Sequence, residues 1–324
     1  MDNKLTKKRL SDFLAYEWIM AIVVVLAAIL ALELLYTTTA TRISTGQQFK
    51  YYFDQDLYSY DQSDRSLYDL LDVTPGENGK TFSYDVLSVE FESLSSSYNV
   101  LSIRLSVQEG DALFTSAVEE EGKSVRAKSV IDANPVYDMQ SLLDGAKEYL
   151  EKFVKEGGDI YNTDDYDEDA IRAYFDTRMK GDNRFRSQAE KEEGRVNEIG
   201  RIKKLAKDAK DFEYILSIGE GKGLFYKYTK YEQSANSSDN ENYKTAYQEE
   251  IDGGRENLIY GFNMYALKGE GKKSVSDYVK ISGKSSAEDV VLLLFDFGKY
   301  QYDLQFESIS FVNTLVREFS DFLD

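Results

Sequence analysis

Residues 101–116 read LSIRLSVQEGDALFTS, and this stretch decides the fold class of the chain. The apolar side chains in its first half occupy every second position, at Leu101, Ile103, Leu105 and Val107. Taken alone, this alternation favours a strand. A helix is the alternative, because Gly110 can end a helix just before a compact apolar strand over 111–116. With the strand predicted over 82–94, the helical alternative gives a strand–helix–strand unit.

The rest of the chain predicts further strands and helices with no repeat. Apolar residues at intervals of three and four predict helices over 139–154, over 171–179 and over 199–216, the last able to begin as early as Ser187. A final helix over 309–322 has Ser308 as its expected cap. Strands are predicted over 47–54, 224–231, 258–267 and 290–297, a short helix over 67–71, and a polar loop over 234–242.

A nearly unbroken apolar run, WIMAIVVVLAAILALELLY, extends from Trp18 to Tyr36. At about 1.5 Å per residue a helix of this length spans roughly 28 Å, close to the hydrocarbon thickness of a bilayer. Basic residues precede the run at Lys4, Lys7, Lys8 and Arg9. Because positive charges favour the cytoplasmic side, we predict a single-pass cell-membrane protein that contacts the bilayer through residues 18–36. Its N-terminus would be cytoplasmic and its C-terminal domain extracellular.

A cleaved signal peptide is the alternative for this segment, since Thr38-Thr39-Ala40 loosely resembles a small-residue cleavage site. Retention as an anchor is favoured because the apolar run continues past Glu33 with Leu34 and Leu35. Glu33 either reaches water at the outer interface or pairs with another helix.

The composition limits the chemistry available to the exported part. The formal net charge is −19, and this field disfavours nucleic acid and anionic surfaces as partners. The absence of cysteine excludes disulfides and thiol nucleophiles, and the absence of histidine excludes Ser-His-Asp catalysis and His-ligated metals. We expect a protein that is not an enzyme, with no catalytic residue, metal or cofactor. A carboxylate-dependent glycosidase is the remaining enzymatic alternative.

Two short motifs imitate ligand sites. Gly283-Lys284-Ser285 has the form of the end of a phosphate-binding loop, but Tyr278 stands where the first glycine is required. The run NTDDYDED over 162–169 is rich in oxygen ligands, but Ala170 stands where an EF-hand needs its turn glycine. We interpret the first as a turn and the second as a solvated helix start.

Several stretches carry a resemblance to known proteins. The opening over 7–55 is similar to single-pass membrane proteins that accompany carbohydrate ABC transporters of Gram-positive bacteria. Residues 101–116, with NLIYGFNMYALKG over 257–269 and DVVLLLFDF over 289–297, resemble the helix, Gly-Asp step and return strands of type II extracellular solute-binding proteins. The resemblance favours a helix over 98–108. The chain differs in having a membrane helix instead of a lipid-anchored cysteine.

The resemblance implies an α/β protein with an N-terminal transmembrane helix and a two-lobed, periplasmic-binding-protein-like ectodomain. Residues 1–40 would form the basic tail and anchor, 41–136 with 258–324 the first lobe, and 137–257 a helix-rich second lobe. The expected function is transport-associated solute binding, or that of a degenerate relative, with an ABC transporter permease as partner. The alternative is a surface interaction or structural protein unrelated to transport.

The predicted ligand site lies between the lobes, at strand ends, where open α/β sheets bind their ligands. Its residues are Tyr51, Tyr52, Ser116, Tyr260 and Asn263. The tyrosine rings would stack on the ligand, and Ser116 and Asn263 would hydrogen bond to a neutral polar solute such as a sugar or a peptide.

The anchor prediction is tested by adding protease to intact cells. We expect loss of the C-terminal domain, while the membrane fraction retains a fragment that contains residues 18–36. Mature protein beginning near Thr41 in the medium would show instead that the segment is a cleaved signal.

Overall fold

The structure is a computed structural model that describes residues 7, 11, 18–39, 47–59, 67–71, 81–94, 98–121, 123–182, 184–297 and 304–323. It divides into two compact units, Met1–Arg42 and Ile43–Asp324. The basic residues Lys4, Lys8 and Arg9 and the proposed cleavage position Ala40 lie outside the described residues.

The first unit contains helix α1, Trp18–Thr39. Its apolar side chains over 18–20 and 22–35 are exposed, and so is Glu33. Among the described residues, α1 is the one helix long and apolar enough to cross a membrane. The predicted apolar helix is therefore confirmed.

The second unit is built on one six-stranded sheet. Its strands are β1 (Gln48–Phe53), β3 (Ser88–Ser93), β4 (Ala112–Ser116), β5 (Phe225–Tyr228), β6 (Leu258–Asn263) and β8 (Val290–Leu294). The strand order is β3-β1-β4-β8-β6-β5, with β3, β1 and β4 parallel and the remaining pairs antiparallel. A separate antiparallel pair joins β2 (Leu57–Ser59) to β7 (Val279–Ile281).

The helices of the second unit follow largely from the apolar periodicity. They are α2 (Leu67–Leu70), α3 (Tyr98–Ser106), α4 (Arg126–Ala133), α5 (Met139–Glu151), α6 (Glu168–Arg178), α7 (Gln188–Gly219), α8 (Glu232–Ser237), α9 (Glu241–Asp252) and α10 (Glu307–Phe319). Ser187 caps α7 in a reciprocal capping box with Glu190, which fixes the early start of this 32-residue helix.

The ambiguous stretch before β4 is a helix, as the resemblance implied. Leu101 and Leu105 are buried, whereas Ile103 and Val107 are 61% and 64% exposed. In a helix, side chains four residues apart share a face, so Leu101 and Leu105 lie on one face and Ile103 and Val107 on another. In a strand, all four of these side chains would lie on the same face. Thus α3 packs two leucines inward and completes a β3–α3–β4 unit, and every residue of β4 is buried.

Helices cover both faces of the sheet. One face packs against α2, α5, α7 and α10, and its core includes Tyr51 and Phe114. The other packs against α3 and α4, and its core includes Tyr52 and Leu113. Because side chains alternate along each strand, neighbouring residues of β1 and β4 belong to different cores.

Four local predictions are corrected. The stretch 234–242 is mostly helical, because it contains the end of α8 and the start of α9. Asn240 caps α9 by accepting a hydrogen bond from the Asn242 backbone amide. Ser308 lies inside α10 instead of capping it, and the capping position is Phe306. The strand predicted over 82–94 begins only at Ser88, and that over 258–267 ends at Asn263.

The two predicted lobes are not confirmed. Residues 43–324 form one compact unit. Strand β5, from the range 137–257 assigned to the second lobe, pairs with β6 in the same sheet as the strands assigned to the first. The structure shows a mixed α/β unit with one large sheet.

The burial of β4 predicts the effect of a charge within it. Leu113→Asp should lower the free energy of unfolding by several kcal/mol, because it places an unpaired carboxylate in the core. Ile103→Asp is the matched control, since Ile103 is exposed. Thermal unfolding of the full chain in neutral detergent, followed by circular dichroism, measures both changes. Equal melting temperatures for the two variants would contradict the placement of β4.

Candidate functional site

The carboxyl ends of β1 and β4 form a topological switch point. The connection after β1 passes through α2, whose Leu67 packs on the α5, α7 and α10 face. The connection after β4 passes through α4, whose Ile131 packs on the opposite face. Open α/β sheets bind ligands in the crevice beyond the carboxyl ends of strands that diverge in this way. We call this region the sheet-end crevice.

The first cavity of the sheet-end crevice has a volume of about 430 Å³. Its hydroxyl groups come from Ser116 at the end of β4, from Ser124 before α4 and from Ser282 after β7. Arg126 and Lys284 also line it. The wall therefore mixes hydroxyl groups with charged side chains from three separate parts of the chain.

A buried ion pair fixes this wall. Asp54, which follows β1, is only 1% exposed and accepts hydrogen bonds from the Arg126 side chain at 2.7 and 3.2 Å. The Thr115 hydroxyl and the Gln55 backbone amide also donate to Asp54, at 2.8 and 2.9 Å. These bonds satisfy the buried carboxylate and connect the end of β1 to β4 and to the start of α4.

A second cavity of about 860 Å³ adjoins the first, because both are lined by Val118 and Lys284. Asn263, at the end of β6, lines it and donates its side-chain amide to the carbonyls of Gly223 and Phe225 at 3.0 and 3.1 Å. Tyr265 also lines this cavity and is 41% exposed. Because Asn263 already uses its side-chain N–H groups and Lys268 lies over one face of the Tyr265 ring at 3.4 Å, the two residues offer a carbonyl acceptor and the other ring face.

Tyr226 contributes a buried hydroxyl to the same cavity wall. No hydrogen-bond partner for this hydroxyl occurs among the described residues. Burial, followed by the negative charges of Glu119 and Asp132, raises the pKa of Tyr226 above its ordinary value. The phenol therefore stays protonated at neutral pH and keeps its ability to donate.

A third cavity of about 620 Å³ lies on the other side of the loop over 117–124. Gln233 of α8 lines it and accepts a hydrogen bond from the Val125 amide at 2.6 Å, while its own amide donates to the Ser129 hydroxyl at 3.0 Å. All three cavities thus share the loop that follows β4, and α8 supports the far end of this loop.

The structure brings together two of the five predicted site residues. Ser116 and Asn263 line adjoining cavities, and they pair with consecutive positions of β8, Val290 and Val291. Tyr226, Tyr265 and Lys284 were missed. Tyr265 had a signal in the sequence, since it lies two residues after the end of β6.

The three predicted tyrosines are core residues. Tyr51 and Tyr52 are fully buried on opposite faces of β1, where Tyr51 packs against Phe311 with ring centroids 5.7 Å apart. Tyr260 is 6% exposed, and burial raises its pKa to about 12. Their rings offer no free face to a ligand, because helices cover both sides of the sheet.

The acidic run over 162–169 serves local structure. Asn162 caps a short 3-10 turn, and Asp167 caps α6 by accepting hydrogen bonds from the amides of Asp169 and Ala170 at 3.0 and 3.1 Å. No group of three or more acidic side chains suited to a metal ion occurs in the described part of the chain.

Loss of the Arg126 charge should destabilise the second unit strongly. Arg126→Met leaves Asp54 buried without its cation, which costs about 3–5 kcal/mol in the free energy of unfolding. Lys128→Met in the same helix is the control, because Lys128 pairs with the exposed Glu119 and such pairs contribute about 0–1 kcal/mol. Denaturant unfolding of the full chain measures both. Adding Asp54→Asn to Arg126→Met should recover part of the loss, and failure to do so would refute this explanation.

Comparison of the chain with models of protein families, with curated proteins and with solved structures gives no match. The assignment of a function therefore rests on the geometry of the sheet-end crevice and on the sequence.

Proposed function

We propose that this protein is a membrane-anchored, non-enzymatic binding protein that takes a neutral polar solute in the sheet-end crevice. The observation that carries the proposal is the pair of adjoining cavities at the switch point between β1 and β4. Serine hydroxyl groups line the first cavity, and the side-chain amide of Asn263 with two tyrosines lines the second, as in sites that bind small polar molecules.

The charges of the crevice support a neutral ligand. Of its cations, Lys123 is bound to Glu120 at 2.5 Å and Lys284 to Asp289 at 2.9 Å. Lys222 and Lys268 of the second cavity lie instead over the rings of Phe322 and Tyr265. Arg126 is held by Asp54. The paired charges of the first cavity leave hydrogen bonding as its main source of affinity, and the second cavity adds ring contact, which suits a sugar or a peptide.

The apolar helix α1 supports attachment to a membrane, and the basic residues before it support a cytoplasmic N-terminus. The crevice would then face the extracellular side. The resemblance to proteins that accompany carbohydrate ABC transporters supports a transporter permease as partner.

One observation favours the alternative, a surface interaction protein. Ile103 in α3 and Val107, directly after the end of α3, have most of their surface exposed, and the Val107 backbone amide still donates to the Ile103 carbonyl at 3.3 Å, so the two lie on one side. Exposed apolar positions of this kind occur at protein contacts. This second function would be supported by two results together: the wild-type chain binds no solute, and Ile103→Asp abolishes its binding to a protein partner.

The proposed binding is tested by thermal shift of the full chain in neutral detergent against oligosaccharides and peptides. A ligand of the native state raises the melting temperature. Tyr265→Ala should then raise the dissociation constant of the ligand found by about tenfold, equivalent to ~1.4 kcal/mol, because the ring contact is lost.

The matched control is Tyr243→Ala, since Tyr243 is 40% exposed on α9 and lies outside the crevice. This variant should bind as the wild type does. The proposal fails if no solute raises the melting temperature of the wild type, or if both alanine variants bind equally well.

A further inference from the structure

A separate cavity of about 600 Å³ lies at the turn between α6 and α7. It is formed by the end of α6, by residues 179–182 and 185–186 of the turn, and by the first two turns of α7. We call it the α6–α7 cavity. It shares no lining residue with the sheet-end crevice.

Three cations that line the α6–α7 cavity form no ion pair within the described part of the chain. The side chains of Lys180, Arg186 and Lys191 line it and are exposed. No carboxylate in the described part of the chain forms an ion pair with any of the three, although the net charge of the protein is −19. Free cations gathered in one cavity are unexpected on such an acidic surface.

The acidic side chains of the same wall are already neutralised. Asp176 accepts two hydrogen bonds from Arg195, at 2.9 and 2.7 Å. Asp182 accepts from the Arg184 guanidinium at 3.0 Å. Among the residues that the structure describes, the cavity is lined by four cations and by only these two carboxylates, so its local charge is positive.

An apolar floor lies beneath these cations. The rings of Phe175 and Phe185 meet edge to face with centroids 5.0 Å apart, and Phe185 is half-buried. Gly194 of α7 permits this packing, since a Cβ there would lie 2.4 Å from Phe175 and 2.6 Å from Phe185. The N-terminus of α7 is not the source of the charge, because Ser187 and Glu190 already cap it.

We propose that the α6–α7 cavity binds a doubly charged oxyanion attached to an apolar group, the chemistry of a phosphate monoester with an aromatic or aliphatic substituent. Three cations match a phosphate, which carries about −1.5 to −2 charges, better than a single carboxylate. The Phe185 ring contacts the apolar substituent.

The proposal is tested by calorimetric titration of the full chain in neutral detergent with three probes. Phenyl phosphate should bind more tightly than benzoate, which has the ring but one charge, and than inorganic phosphate, which has the charge but no ring. Arg186→Gln and Lys191→Gln should each weaken phenyl phosphate binding about tenfold. Lys207→Gln is the matched control, because Lys207 is an exposed lysine further along α7.

Repeating the titration in nanodiscs identifies the natural source of the phosphate. Weaker phenyl phosphate binding in nanodiscs with phosphatidic acid, a phosphate monoester, than in nanodiscs with phosphatidylglycerol, an anionic diester, indicates that a lipid headgroup competes for the cavity. Equal binding in the two indicates a soluble ester. The proposal is overturned if phenyl phosphate binds no better than benzoate, or if the Arg186 and Lys191 variants match the Lys207 control. Neither result bears on solute binding in the sheet-end crevice.

Discussion

The burial of β4 on both faces is the constraint on which the rest of the second unit depends. A strand without water must pair its backbone on both sides, and β4 does so with β1 in parallel and with β8 in antiparallel orientation. At its start, Asp111 donates its amide to the Lys50 carbonyl at 2.7 Å and accepts the Lys50 amide on its carboxylate at 2.7 Å. Gly110 is required here, since its φ is +115° and a Cβ would lie 2.3 Å from the Tyr52 ring. The same strand ends beside Asp54 and so determines where the crevice forms.

Buried charge docks the long helix α7 to the segment before β3. Glu198 is fully buried and binds Arg201 at 2.8 Å and Arg178 at 2.7 Å. Burial alone would raise the pKa of Glu198, but the two arginines outweigh it and hold the pKa below its ordinary value. Asp85 shares Arg178 at 3.2 Å, and here burial prevails and raises the pKa. The pKa values of the two carboxylates are therefore shifted in opposite directions, although Asp85 also binds Arg184 at 3.1 Å.

The sequence predicted an element correctly where its apolar residues follow one spacing, either that of a helix or that of a strand. The prediction was ambiguous where exposed apolar residues add a second spacing. Helix α5 was clear because its apolar residues recur at three and four. The stretch 98–108 was ambiguous, because the exposed Ile103 and Val107 alternate with the buried Leu101 and Leu105 in the spacing of a strand. The helices α8 and α9 were missed for a different reason, since they are polar and Asn240 caps the second of them.

The candidate site was predictable only where it depends on strand ends. Ser116 and Asn263 close β4 and β6, and both reach cavities. Tyr51 and Tyr52 point to opposite faces of β1, and helices cover both faces, so neither tyrosine ring is accessible to a ligand. Lys284 and Ser116 line the same cavity because β8 returns antiparallel to β4, and this strand order is absent from any local sequence pattern.

The edges of the sheet favour binding at its end over binding along its side. At one edge, β3 carries Glu90 and Glu92, whose carboxylates pair with Lys50 at 3.0 Å and with Arg104 at 3.2 Å. Charged side chains on an edge strand oppose the addition of a further strand. At the other edge, β5 carries Lys227, paired with Glu220 at 2.6 Å. With both edges charged and both faces covered by helices, accessible hydroxyl groups are found at the end of the sheet, beyond β1 and β4.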